Sequence, residues 1–294
     1  MLLDHPIIVG ILNVTPDSFS DGGNFFSVDA ALLQAERLID GGADILDVGG
    51  ESTRPGAVPV QAADESTRVV PVISAIRDRW PSLPISIDTV KSDVAAAALE
   101  AGADIINDVS AMRLDPGMPG LAARSNCGVI LMHSRGGVSN MATYEYAQYD
   151  DVASDVLAEL ASQLLLAEEA GVDRNAVVFD PGFGFAKRSE HSMALLRELR
   201  RFVAYDVPVM VGVSRKRFVA EAMEGGERSR LRDNRKLAGD SERSAAWLFE
   251  DKDAATAAVN VMALERGAML FRVHDVRINR RALDAAWSIL TSAR

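Results

Sequence analysis

The sequence predicts a single-domain (β/α)8 barrel spanning residues 1–294, and three observations carry that expectation. Eight short aliphatic runs recur down the chain, each ending in polar or ionisable residues. The segments between them are mostly long enough for one helix each, and four of these segments stop at a glycine that leads straight into the next run. A fully buried parallel strand is a continuous β-branched and aliphatic run, and eight such strand–helix units close into a barrel whose active site lies at the C-terminal strand ends.

In order, the first run, IIVGILNV, ends at Asn13 and opens into the loop NVTPDSFSDGGNFF. A helical stretch then turns at DGG into ADILDVGG, which carries Asp47 and opens into GGESTRPGAVPV. The third run, PISIDT, ends at Asp88, and Ser92 with Asp93 reads as an N-cap and a dipole-complementing first turn for the helix VAAAALEA. The corner EAG leads into ADIINDVS with Asn107, and its likeness to DGGADILDVGG reads as a repeated helix-to-strand corner. GVILMHS brings His133, read as a satisfied strand-end polar group, and AVVFDPG brings Asp180. VPVMVGVS ends at Ser214, with Arg215 and Lys216 directly after it. The charge-rich segment at about 217–253 breaks the spacing and reads as an elongated, solvated loop with a short helix around SAAWLF. The last run, AMLFRVHDV, ends in Arg272 and His274 at alternate positions, on one side of the strand.

Bulk properties narrow the function. With 294 residues, 48% of them hydrophobic, the chain can bury a large core. No apolar stretch approaches the roughly 20 residues of a membrane span, and the N-terminus lacks a basic leader, so neither a membrane location nor export is expected. Cys127 is the single cysteine; it reads as a small apolar filler and fits a reducing cytoplasm. A net charge of −11 argues against nucleic acid and against an anionic membrane surface. An anionic substrate must therefore be held by local cations.

Those cations gather where the strands end. Arg54, Arg215, Lys216, Arg272 and His274 suggest a phosphate or pyrophosphate site, which barrels of this kind often build near strands seven and eight. Asp88, Asn107 and Asp180 suit a flat, nitrogen-rich heterocycle, because a carboxylate accepts two parallel N–H donors and an amide both donates and accepts. No cysteine or histidine cluster has zinc-like spacing. Mg²⁺ needs only one or two protein oxygens beside phosphate, and Asn13 offers one.

Taken together, GILNVTPDSFSDGG, DVGGESTRPGA, SIDT, INDVS, DPGFGFAK, SRK and RVHDV, in this order, resemble the dihydropteroate synthases, the folate-pathway transferases targeted by sulfonamides. The resemblance runs from about Ile7 to Val276. It implies a homodimeric barrel that joins 6-hydroxymethyl-7,8-dihydropterin pyrophosphate to p-aminobenzoate and releases pyrophosphate with Mg²⁺. Carried over, Asp88, Asn107, Asp180 and Lys216 would hold the pterin, while Asn13, Arg272 and His274 would hold the pyrophosphate and its metal. Phe19, Thr53, Arg54, Pro55 and Phe185, with the helix start after Ser214, would shape the p-aminobenzoate pocket, and Asp88, Lys216, Arg272 and His274 would carry the chemistry. The dimer contact is expected on the last helices, including RRALDAAWSIL. This chain departs from the family pattern at Ala186, where many members have glycine, and at Arg217, where some have serine. A pterin-binding methyltransferase would share the acid and amide trio but has no need for the pyrophosphate cations, and a homologue that binds pterin without turnover is the other alternative.

Overall fold

Alternation within each strand decides what the barrel encloses. The computed structural model of the chain describes residues 4–15, 27–52, 58–234 and 249–292. Its strands are β1 (Ile7–Asn13), β2 (Ile45–Gly49), β3 (Ile85–Asp88), β4 (Ile105–Asp108), β5 (Gly128–Met132), β6 (Val177–Asp180), β7 (Met210–Val211) and β8 (Leu270–Val273). Successive side chains of a strand face opposite sides. One set, including Ile8, Leu12, Leu46, Ile87, Ile106, Leu131, Phe179 and Phe271, packs into the large core beneath the helices. The other set fills the barrel: Val9, Ile45, Ile130, Met210 and Leu270 form a separate apolar cluster inside it. Two residues further along the same strands stand Ile11, Asp47, Met132, Gly212 and Arg272, so the lining turns polar toward the C-terminal ends.

All eight strands are parallel, in the order β6-β5-β4-β3-β2-β1-β8-β7. The ring is nearly closed. Only the Phe179–Val209 bridge and the Phe179 N–H to the Pro208 carbonyl, at 2.8 Å, join β6 to β7. Register aligns the strand ends: Asn13 stands beside Gly49, Gly49 beside Asp88, and Asp88 beside Asn107.

The helices are α1 (Val28–Asp40), α2 (Ala62–Arg79), α3 (Ser92–Glu100), α4 (Met118–Ser125), α5 (Val152–Glu169), α6 (Ser189–Arg197), α7 (Arg200–Val203), α8 (Arg217–Asn234), α9 (Phe249–Glu265) and α10 (Val276–Thr291). Among these described helices, none is long and apolar enough to cross a membrane. The glycine corners are as expected. Gly42, Gly102, Gly171 and Gly267 have φ between 97° and 112°. Each corner closes with the same pair of bonds, for example Gly42 N–H to the Ile39 carbonyl and Ala43 N–H to the Leu38 carbonyl, which satisfies carbonyls that the helix end leaves open.

Two local expectations are corrected. Lys91 occupies the N-cap of α3, so Ser92 is the first helical residue and its N–H goes to Asp115 Oδ2 at 2.7 Å. The segment at 217–253 is not one elongated loop: α8 runs to Asn234 and α9 begins at Phe249. Its many Arg, Glu and Leu residues are good helix formers, and a charged helix facing water has the same composition as a solvated loop. The linking residues 235–248, with most of SAAWLF, lie outside the described residues.

Candidate active site

Four strands deliver a connected polar floor at the C-terminal end of the barrel. Asp47 of β2 is fully buried and accepts three donors: Ser86 Oγ of β3 at 2.6 Å, Asn107 Nδ2 of β4 at 3.1 Å and Arg272 Nε of β8 at 2.6 Å. The Arg272 guanidinium also reaches Asp88 Oδ2 through Nη2 at 2.6 Å. Arg272 is thus shared by two carboxylates rather than presented as a free anion clamp, which leaves Nη1 as its uncommitted end among the described residues. Burial raises the pKa of Asp88, and Arg272 opposes that shift. Even beside this cation, burial and the Asp47 charge leave the Asp88 carboxyl pushed up to about 7.

Asp180 faces the same space from β6. Its Oδ1 accepts the Gly182 N–H at 2.8 Å, and Gly212 opposite it is bare enough that a Cβ there would lie 3.4 Å from Asp180 Oδ2. Burial pushes Asp180 up to about 6, against the Gly182 N–H and the cations Arg272, Lys216 and Lys187. Burial and Arg272 together bring Lys216 down to about 8. The Lys216 ammonium sits 4.0 Å from the centre of the Phe185 ring. Phe185 in turn packs with Val90, Val109, Met132 and Met141, a small apolar cluster at the mouth of the barrel. One wall is therefore apolar and aromatic, and the floor is polar.

The Asn107 amide has a single allowed orientation. Its Nδ2 donates to Asp47, and its buried Oδ1 has no hydrogen-bond partner. An orphaned buried acceptor costs about 1 to 3 kcal/mol, which a ligand N–H would recover.

Ser214 and His274 meet beyond β7 and β8. Ser214 Oγ lies 2.9 Å from His274 Nδ1 and accepts the His274 backbone N–H at 3.2 Å. Burial first, and then the charges of Arg215 and Arg272, push His274 down to about 3, so its ring is neutral. A cavity of about 170 Å³ opens beside His274, walled in part by Arg37, Arg215 and Arg277. Arg215 itself is turned away from the floor: it adopts φ 58° and pairs bidentately with Asp253 at 2.7 and 2.8 Å. Its left-handed turn aims the neighbouring Lys216 into the barrel. Asn13 ends β1, half-buried, and its side chain has no hydrogen-bond partner among the described residues. Phe19, Thr53, Arg54 and Pro55 lie outside the described residues.

Reading the sequence missed two groups. Asp47 was visible as a strand-end residue, but not as the hub that joins Ser86, Asn107 and Arg272. Lys187 was invisible as a site residue, since a lone lysine after a loop has the signature of a surface side chain. It is 1% exposed. Its ammonium lies 3.0 Å from the Gly182 and Phe185 carbonyls and 2.8 Å from His133 Nδ1. Burial drives the Lys187 pKa far down. His133, pushed to about 4 by burial and Lys187, is neutral and bonds Glu159 through Nε2 at 3.0 Å, the satisfied role expected of it. The same sixth loop explains Gly182 and Ala186. At Gly182, φ is 68° and a Cβ would stand 1.9 Å from the His133 carbonyl oxygen. Ala186 has φ 47°, a conformation glycine adopts without cost, so glycine, the residue the family resemblance leads one to expect here, would relieve the backbone at this point.

Comparison with known proteins follows the same line. A family model described as pterin binding enzyme matches residues 9–274. A dihydropteroate synthase of Streptococcus pyogenes is 46% identical over 273 residues, covering 93% of this chain and 91% of its own. Among solved structures, dihydropteroate synthase of Xanthomonas albilineans with 4-aminobenzoic acid superposes with a TM-score of 0.84 at 40% identity, covering 98% of this chain and 94% of that one. The same enzyme in complex with 7,8-dihydropteroate superposes with a TM-score of 0.82 at 37% identity, covering 99% and 96%.

Proposed function

The chain belongs to the pterin binding enzymes and, among them, to the dihydropteroate synthases, transferases of folate biosynthesis, and from that premise we propose how its residues do the chemistry. The substrates are a 6-hydroxymethyl-7,8-dihydropterin carrying a diphosphate, and p-aminobenzoate. One observation carries the assignment: the floor offers two buried acceptors, Asp180 and the orphaned Asn107 Oδ1, beside the donor Lys216. A pterin edge presents the complement, two adjacent, parallel N–H donors beside a carbonyl oxygen. Asp180 takes two parallel N–H groups, Lys216 takes the carbonyl, and Phe185 with its apolar neighbours covers the ring face. Phe185 also belongs to the assigned p-aminobenzoate pocket, together with Phe19, Thr53, Arg54 and Pro55, which lie outside the described residues.

Reaction follows from where charge appears. The C–O bond between the pterin methylene and the diphosphate breaks, the arylamine nitrogen forms the new C–N bond, and its proton leaves to solvent or to the departing diphosphate. An arylamine is already nucleophilic, so the barrier lies in leaving-group departure and in the positive charge left on the methylene. We assign a dissociative path in which ionised Asp88 stabilises that charge. Arg272 Nη1 and neutral His274 receive the diphosphate; with the Ser214 hydroxyl donating to Nδ1, the Nε2 proton of His274 points to the anion.

Mg²⁺ suits the residues present. Among the described residues the Asn13 amide oxygen has no partner, and no group of three His, Cys, Asp or Glu side chains could cage a metal. A cation that arrives with the diphosphate needs no more than that, and it supplies charge neutralisation as the C–O bond breaks. Diphosphate release should fall by at least an order of magnitude in excess EDTA and return with added Mg²⁺; unchanged release would remove the metal from the scheme.

Acid should weaken pterin binding. Asp180 must be ionised to accept two N–H groups, and its pKa in the free protein is about 6, so protonation competes with the ligand below that value. Affinity measured by calorimetry should be about halved at pH 6 relative to its plateau and approach a drop of about tenfold per unit below about pH 5. The deciding assay is release of diphosphate with both substrates present. Turnover that requires both supports the synthase, binding without turnover supports a pterin-sequestering homologue, and methyl transfer to a corrinoid supports the methyltransferase. The homodimer, the cytoplasmic location and the RRALDAAWSIL contact on α10 are further proposals; Ile289 and Leu290 on that helix are exposed. Equilibrium sedimentation tests the dimer.

A further inference from the structure

Asp47 touches no part of the space assigned to the pterin, yet it determines how two residues that do so are presented. Its carboxylate is sealed from water on β2 and surrounded by Ser86 on β3, Asn107 on β4 and Arg272 on β8. An ionised carboxylate can only accept hydrogen bonds. The Asn107 NH2 must therefore turn toward Asp47, which leaves Oδ1 buried and without a partner among the described residues. On the other side, Asp47 takes Arg272 Nε and so aims Nη2 at Asp88 Oδ2. We propose that Asp47 is a positioning residue that sets the hydrogen-bond polarity of the floor, making Asn107 an obligatory acceptor toward the ring and holding the Arg272 cation on Asp88.

This inference rests on the pterin reading of the site. An asparagine at position 47 would be nearly the same size but could donate as well as accept, so the Asn107 amide could flip and offer NH2 where the ring also offers N–H. Asp47 could not be replaced by a neutral group without making that floor ambiguous. Affinity should then fail through Asn107, whereas rate should fail through Arg272 and Asp88. The two routes are separable.

The test is a double-mutant cycle with Asp47→Asn, Asn107→Ala and the pair, using 6-hydroxymethylpterin as the binding probe and thermal unfolding as a control. Asp47→Asn should weaken probe binding roughly 10- to 100-fold in the native background and no more than about threefold when Asn107 is already alanine. The accompanying fall in kcat should persist in both backgrounds. Equal losses of affinity in the two backgrounds would make Asp47 a purely structural tie and overturn the proposal. Should Asp47→Asn fail to fold, the 15N-labelled wild-type protein carries the test. The Asn107 side-chain NH2 signals, identified by their loss in Asn107→Ala, should be resolved, slow to exchange with water and little shifted when the probe binds. Rapid exchange, or a large shift at that NH2, would overturn the proposal equally. A wild-type protein that does not bind the pterin at all would instead refute the reading of the site, leaving the two failures distinct.

Discussion

Replacing Asp180 with asparagine should weaken pterin binding by about 2 to 4 kcal/mol, roughly 30- to 1000-fold in Kd. The native carboxylate has one oxygen on the Gly182 N–H and presents the other to the pocket beside Gly212. An amide can match only one of two parallel donors, and its NH2 then faces another N–H in a site closed to water. The same variant should lose the acid limb of the binding profile, because the group that titrates near 6 is gone. Both outcomes come from one calorimetric series across pH. A loss below threefold, or an acid limb that survives the substitution, would relocate pterin recognition to another residue.

Asp88→Asn should act on rate. Removing an electrostatic stabiliser of a developing charge lowers kcat by about 10²- to 10³-fold, or about 3 to 4 kcal/mol. If Asp88 serves the cation rather than the resting pterin, kcat should fall far more than pterin affinity does. Part of that fall belongs to Arg272, which would lose the partner 2.6 Å away and relax toward Asp47. Arg272→Lys separates the contributions, since lysine retains a cation but not two fixed donors. Equal losses of rate and affinity in Asp88→Asn, or leaving-group isotope effects without C–O cleavage in the transition state, would exclude the dissociative path.

Much of this site was legible because a barrel strand announces itself twice. The aliphatic runs locate the strands, and the break in each run marks where inward positions change from Val9, Ile45 or Leu270 to Asp47 or Arg272. Asp88, Asn107, Asp180, Lys216 and Arg272 were found that way, and the four glycine corners confirmed the connections. Pairing was not legible. The Asp47–Arg272 contact joins residues 225 apart in sequence, and only the closure of β8 onto β1 and β2 brings them together. Composition also cannot tell that Lys187 is interior, because its neighbours there are backbone carbonyls, which every sequence has. Nor could charge content distinguish α8 from a loop, since the same Arg and Glu residues serve both.

The thin junction between β6 and β7 gives the ligand a second role. Seven of the eight strand junctions are continuous ladders, whereas this one is a single bridge. Separating β6 from β7 breaks the fewest hydrogen bonds of any opening of the ring, and local opening is what amide exchange reports. In the free protein the Phe179 and Met210 amides, which lie at this junction, should exchange with deuterium sooner than those of Leu46 or Ile106. Asp180 stands at the end of β6 and Lys216 just beyond β7, so a pterin held by both spans the gap from above. It would act as a staple, binding the closed ring in preference to the parted one and so lending part of its binding energy to the barrel. Protection should rise across this junction on pterin binding and change least on the opposite side of the ring, at β2. The substrate would then complete the architecture that recognises it.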